Sequence, residues 1–143
     1  MLNLAGIVPD RRLIALTRED VECFEKINGQ LEGVYEEITS LSKKSPNDGV
    51  NKFKLQLINR ILAEANSILD DKHKPFNDFS SFDEDTLPSN SDVVFILAQY
   101  LSGMENKRTE NIEQKSFNPL WYWIIDGAVS TEKTPPPKKL SRR

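Results

Sequence analysis

The residues best suited to chemistry are four carboxylates near the middle of the chain: Asp83, Glu84, Asp85 and Asp92. A helix-loop-helix calcium site needs oxygen ligands at positions 1, 3 and 5, glycine at position 6 and glutamate at position 12. Counted from Asp83, positions 5, 6 and 12 are Leu87, Pro88 and Val94. The acidic stretch 78–92 fails this motif, and carboxylates that precede a helix are explained by the helix dipole. A weak cation site or a basic partner is the remaining alternative for this stretch.

His73 is the only histidine of the chain and Cys23 is its only cysteine. These counts exclude a zinc site of the Cys/His type and a di-iron site built on Glu-x-x-His. A nucleophilic Cys-His pair remains formally open. However, Cys23 lies beside the apolar seam of a predicted helix with no motif around it, so we expect it to behave as a small hydrophobe.

One other enzyme motif is matched in part by the sequence, and two more are absent from it. Asp92, Glu105 and Lys107 reproduce the acidic and lysine elements of a nuclease pattern, but those elements belong on strands and here fall on one predicted helix. The chain has no glycine-rich phosphate loop and no G-x-S-x-G. We therefore expect no catalytic residue, metal or cofactor, and predict that the protein is not an enzyme. An enzyme that uses the acidic loop is the weakest alternative.

The run "LWYWII" is the most unusual stretch of the sequence. Asn118 as N-cap, Pro119 at the first helical position and Gly127 after the end predict a helix of about two turns. On such a helix Trp121 and Trp123 would point about 200° apart, so one of them should face a partner. The predicted partner-binding residues are Trp121, Tyr122, Trp123 and Ile125.

The C-terminal segment differs in charge from the rest of the chain. From Ala128 onward five basic residues stand against Glu132 alone, so this segment carries +4 and the remainder −7 of the net −3. An acidic body argues against general nucleic-acid binding, because phosphate contacts need clustered basic surface. If the chain binds an anion, the predicted contacts are in the tail: Lys138, Lys139, Arg142 and Arg143.

Three stretches are predicted to be helices. From Thr17 to about Lys44 apolar residues recur at alternating spacings of three and four and form a heptad seam: Phe24, Ile27, Leu31, Val34, Ile38 and Leu41. Thr17 and Asp20 predict a capping box at its start. A second helix is predicted over 50–70, and a third begins after Pro88 with Ser89 or Ser91 as N-cap. In the loop between them, three phenylalanines are expected to pack on the core: Phe76, Phe79 and Phe82.

These elements predict an all-α fold, a bundle of three long helices plus a short C-terminal aromatic helix. We predict an N-terminal arm (1–16), a helical bundle domain (17–127) and a flexible basic tail (128–143). A single cysteine forms no internal disulfide, which favours the cytoplasm. The N-terminus resembles neither a signal peptide nor a membrane span, and we expect no membrane association.

The predicted function is that of a non-enzymatic interaction or scaffold protein that acts through protein–protein contacts. Self-association through the heptad seam, giving a homo-oligomer, is one route to such contacts. The alternative is a helical accessory subunit of a nucleic-acid system, in which the basic tail makes the anionic contact.

Overall fold

The computed structural model describes residues 15–138, which form three helices followed by a three-stranded antiparallel sheet. The helices are α1 (Arg18–Lys44), α2 (Lys52–Ile68) and α3 (Asn90–Thr109), and the strands are β1 (Ile112–Gln114), β2 (Trp121–Ile125) and β3 (Ala128–Thr134). The strand order is β1-β2-β3, which places β2 in the centre.

Each helix begins at a side chain that caps its first turn. At the start of α1 the predicted capping box is confirmed: Asp20 N donates to Thr17 Oγ1 at 3.1 Å, and Thr17 N donates to Asp20 Oδ2 at 2.9 Å. Asn51 caps α2 through the backbone N–H of Lys54. Ser89, one of the two predicted caps, does the same for α3. These bonds satisfy backbone donors that a helix leaves unpaired at its N-terminus.

The helices run antiparallel to α1 on both sides. The last turns of α1 contact the beginnings of the other two helices, through Lys54 Nζ to Glu37 Oε2 at 2.6 Å and Asn90 Nδ2 to Ser45 O at 2.8 Å. At the opposite end, residues from the end of α2 and of α3 meet the beginning of α1 around a shared cleft. Consequently α1 is the helix that both others pack against.

The heptad seam of α1 lies in the core of the single chain. Phe24, Ile27, Leu31 and Ile38 are buried, and Val34 and Leu41 are half-buried against the same cluster. Helices α2 and α3 and strand β2 cover the seam. A seam that is already covered offers no free apolar stripe to a second copy, so it does not support the predicted homo-oligomer.

The prediction of an all-α fold was wrong in the C-terminal third. The expected aromatic helix is strand β2, and the polar stretch after Met104 ends its helix at Thr109 and continues into β1. Asp126 and Gly127 have φ of 53° and 81° and form the two-residue turn between paired Ile125 and Ala128. Positive φ at both positions is the turn that joins twisted antiparallel strands. The first seven residues of the predicted flexible tail are strand β3.

The loop between α2 and α3 is fixed along α2. Asn59 Oδ1 accepts from Phe82 N and Asn59 Nδ2 donates to Phe82 O, both at 2.9 Å. The rings of Phe76 and Phe79, and of Phe79 and Phe82, meet edge to face with centroids 6.2 and 5.1 Å apart. Phe79 and Phe82 pack against the core as predicted, whereas Phe76 contacts the ring of Phe79.

Candidate functional site

Two carboxylates of the acidic loop make protein contacts. Asp83 Oδ1 accepts from the backbone N–H of Asp85 at 2.8 Å, and Glu84 accepts from the side-chain amides of Gln56 and Asn59. These contacts fix the loop to itself and to α2. Among residues 15–138 no three His, Cys, Asp or Glu side chains are grouped so that they could hold a metal ion.

The other groups with potential chemistry are separated in the fold. Asp92 is in the first turn of α3 and Glu105 is near its end, a distance of about 20 Å along the helix axis. Cys23 is exposed, contrary to the expected small hydrophobe. His73 is buried, with Nδ1 3.6 Å from Asp70 Oδ2 and Nε2 3.2 Å from Glu110 Oε2.

The predicted partner-binding residues lie mostly inside the chain. Trp123 is 1% exposed, with its ring edge to face with Phe24 at 5.3 Å and its Nε1 donating to Glu25 at 3.1 Å. Tyr122 and Ile125 are also buried, whereas Trp121 is half-buried. On a strand, residues two apart project from the same face, so the argument that separated the two tryptophans by 200° no longer holds.

The loop that joins β1 to β2, residues 115–120, presents apolar side chains to solvent. We name it the hairpin loop. Phe117 is fully exposed and Leu120 is exposed by nearly half. Within residues 15–138 the three other exposed large hydrophobic side chains are on separate elements: Phe53, Leu87 and Phe95. In this described part of the chain, only the hairpin loop places two such side chains within four residues of each other.

The hairpin loop is held by its own polar groups. Asn118 Nδ2 donates to Tyr122 Oη at 2.8 Å, and Asn118 Oδ1 accepts from Leu120 N at 2.9 Å. Gln114 Nε2 donates to Pro119 O at 2.8 Å, and the Lys115 ammonium lies 4.2 Å from the centre of the Tyr122 ring. The apolar side chains are thus exposed on a loop whose conformation is fixed by hydrogen bonds.

Sequence reasoning missed Phe117 and Leu120 because it placed Leu120 on a helix and Phe117 directly before the N-cap of that helix, Asn118. The signal that could have found the loop is the dipeptide Asn118-Pro119, a turn former, between a polar stretch and a run of aromatic and β-branched residues.

Of the predicted tail contacts, only Lys138 lies within the described residues. Its Nζ is 3.2 Å from Glu32 Oε2, and its backbone N donates to Glu105 Oε2 at 2.8 Å. Lys139, Arg142 and Arg143 are outside the described residues. The one predicted anion contact of the tail that lies within the described residues is therefore already paired within the chain.

No family model, curated protein or solved structure matches this chain. Of the helices in the described part of the chain, none combines the length and the apolar character needed to cross a membrane.

Proposed function

We propose that this chain is a non-enzymatic interaction protein that binds a protein partner through its hairpin loop. The observation that carries the proposal is the full exposure of Phe117 on a loop ordered by its own hydrogen bonds. Burial of a phenylalanine side chain contributes a favourable free energy of about 1.5–3 kcal/mol, and the isolated chain does not gain it at Phe117. A partner with an apolar pocket would recover that free energy.

The composition of the surface supports a contact site of this kind. Aromatic residues are favoured at the centres of interfaces, and a rim of polar groups surrounds them. Around Phe117 and Leu120 the loop offers Lys115, Ser116 and Asn118 as polar neighbours. Trp121, which follows Leu120 directly, is half-buried and extends the same apolar stretch towards the core.

The alternative role in a nucleic-acid system stays a prediction with weaker support. Its anionic contacts were assigned to four tail residues, and Lys138 instead pairs with Glu32. A pair of this kind must be broken before the lysine can bind a phosphate.

The proposal predicts that Phe117→Ser weakens partner binding without affecting the fold. We expect about a 30-fold loss of affinity, equivalent to about 2 kcal/mol, because the loop loses its apolar anchor. The melting temperature should hardly change, since Phe117 contributes no burial to the chain. The measurement is capture from an extract of the source organism on immobilised protein, followed by quantitative mass spectrometry.

The matched control is Phe53→Ser, which removes an exposed phenylalanine from α2. A partner retained by the wild-type chain and by this control, but lost from Phe117→Ser, supports the proposal. Retention of the same proteins by all three chains contradicts it.

A further inference from the structure

The last residue of β3 and the four residues after it, 134–138, lie across a cleft between α1, α3 and β2. We name this segment the strap; its sequence is Thr-Pro-Pro-Pro-Lys. With the strap in place, a volume of about 170 Å³ remains free in the cleft. Phe24 and Trp123 are among its apolar lining residues, and Glu25 and Glu32 of α1 are also part of its wall.

Arg108 of α3 holds the strap by its backbone. The guanidinium of Arg108 is buried and makes a bidentate pair with Glu105, at 2.9 and 2.8 Å. Its remaining three donors reach Thr134 Oγ1 at 2.8 Å, Pro135 O at 2.6 Å and Pro136 O at 3.0 Å. All five N–H groups of the guanidinium are thereby satisfied.

The end of the strap is held by charge. Glu105 Oε2 accepts from the backbone N of Lys138 at 2.8 Å, and Glu32 Oε2 lies 3.2 Å from Lys138 Nζ. The cleft thus supplies a guanidinium that donates to backbone carbonyls, a carboxylate that accepts from a backbone N–H and a carboxylate that pairs with an ammonium. An extended proline-rich chain with a lysine presents those carbonyl, N–H and ammonium groups, because such a chain leaves its carbonyls unpaired.

The aromatic wall of the cleft fits the same kind of chain. Proline-rich segments bind in grooves lined by aromatic side chains, and they lose little conformational entropy because they are already extended. Here Pro135 lines the cleft together with Trp123 and Phe24. None of these contacts depends on the strap being covalently joined to β3.

We propose that this cleft is a binding site for an extended proline-rich segment, bearing a lysine, of a partner protein, and that the strap occupies it in the isolated chain. The site is distinct from the hairpin loop and does not depend on it. Because the strap is covalently joined to β3, its effective concentration at the cleft is of the order of millimolar, and a partner segment must displace it. Weakening the contacts of the strap should therefore strengthen binding of a segment that belongs to another molecule.

The test uses a fluorescein-labelled peptide with the sequence of residues 133–143, KTPPPKKLSRR, and the full chain carrying Lys138→Pro. This substitution keeps the segment extended but removes both contacts of residue 138. We expect the peptide to bind this variant about 10-fold more tightly than it binds the wild-type chain, by fluorescence anisotropy. Lys138→Ala, which loses only the contact with Glu32, should give an intermediate affinity.

Two pairs of controls separate cleft binding from simple charge attraction. Adding Glu32→Lys to the Lys138→Pro chain should weaken peptide binding, whereas Glu36→Lys reverses an exposed charge on the same helix outside the cleft and should not. A peptide with alanine in place of the three prolines has the same charge and should bind more weakly. Phe117→Ser should leave peptide affinity unchanged, so this proposal and that of the hairpin loop can fail separately.

Three results would overturn the proposal. The first is no peptide binding to a Lys138→Pro chain that unfolds cooperatively. The second is equal binding of the proline and alanine peptides. The third is a wild-type dimer, seen by sedimentation, that Lys138→Pro abolishes, because it would mean that the strap exchanges between two copies.

Discussion

At Gly103 helix α3 comes into direct contact with the loop that follows α2. A Cβ at this position would overlap the backbone carbonyl oxygen of His73, and backbone atoms cannot move aside as a flexible side chain does. Gly33 on α1 is different, because a Cβ there would meet nothing within 4 Å. The two helical glycines therefore differ in their effect on stability. Gly103 permits close packing, whereas Gly33 only lowers helix propensity.

Gly103→Ala should destabilise the chain by about 1–3 kcal/mol, since the loop at His73 must shift to admit the methyl group. Gly33→Ala should instead stabilise it by about 0.5–1 kcal/mol, because alanine loses less backbone entropy in an exposed helix. Urea unfolding of both variants measures the two changes. Equal effects of the two substitutions would contradict the close contact at Gly103.

The carboxyl of Glu110 contacts the loop that follows α2, and its ionisation makes the stability of the fold depend on pH. Burial by itself would raise the pKa of this group, but the Lys72 and His73 side chains outweigh it and lower the pKa below 4.5. Lys72 Nζ is 2.9 Å and His73 Nε2 is 3.2 Å from Glu110 Oε2. A folded-state pKa below the unfolded value means that the charged carboxylate stabilises the fold.

The contribution of Glu110 to stability should be present above pH 4.5 and be lost as the pH falls through the lowered folded-state pKa. We predict that wild type is more stable than Glu110→Gln at about pH 7 and that the difference is smaller at about pH 3. The effect should be small, because the side chain is 39% exposed. Urea unfolding at the two pH values measures it, and a gap that widens on acidification would contradict the assignment.

At the scale of elements, the helices were predictable and the sheet was not. The N-caps Thr17 and Ser89 and the heptad seam of α1 are local signals, and they predicted the starts of α1 and α3. The run before Gly127 has five aromatic and β-branched residues in succession, which suit a strand as well as a short helix. The deciding signal was Asp126-Gly127, a hairpin turn that was read as a helix end. Strand pairing with residues 128–134 is non-local, so it could not be seen in the run itself.

The buried pair of Glu105 and Arg108 joins helix α3 to the strap. Both side chains are less than 10% exposed. Arg108→Leu should cost about 3–5 kcal/mol of stability, because it leaves the Glu105 carboxylate buried without its partner. The double variant Glu105→Leu/Arg108→Leu should cost less than this single one, since no buried charge remains. Urea unfolding of the set tests the pair, and a double variant that is less stable than Arg108→Leu would contradict this account.

At the scale of the whole molecule, one chain provides its own core, and we propose two distinct surfaces for other molecules, the hairpin loop and the cleft at the strap. The heptad seam, which sequence reasoning offered to a second copy, is covered by α2, α3 and β2, and Trp123, offered to a partner, packs on Phe24 of α1. The hairpin loop and the cleft beneath the strap could not be predicted, because each depends on which residues the sheet brings to the surface. The sequence nevertheless identified the charged C-terminal segment, in which Lys138 contacts Glu32 of α1.

The most direct test of the central claim, that the hairpin loop contacts a protein partner, is photo-crosslinking from position 117. The chain is made with p-benzoylphenylalanine in place of Phe117 and, as a control, in place of the exposed Phe53, and is irradiated in an extract of the source organism. We predict a discrete crosslinked protein from position 117 that is absent from position 53. No adduct from position 117, or identical adducts from both positions, would contradict the account.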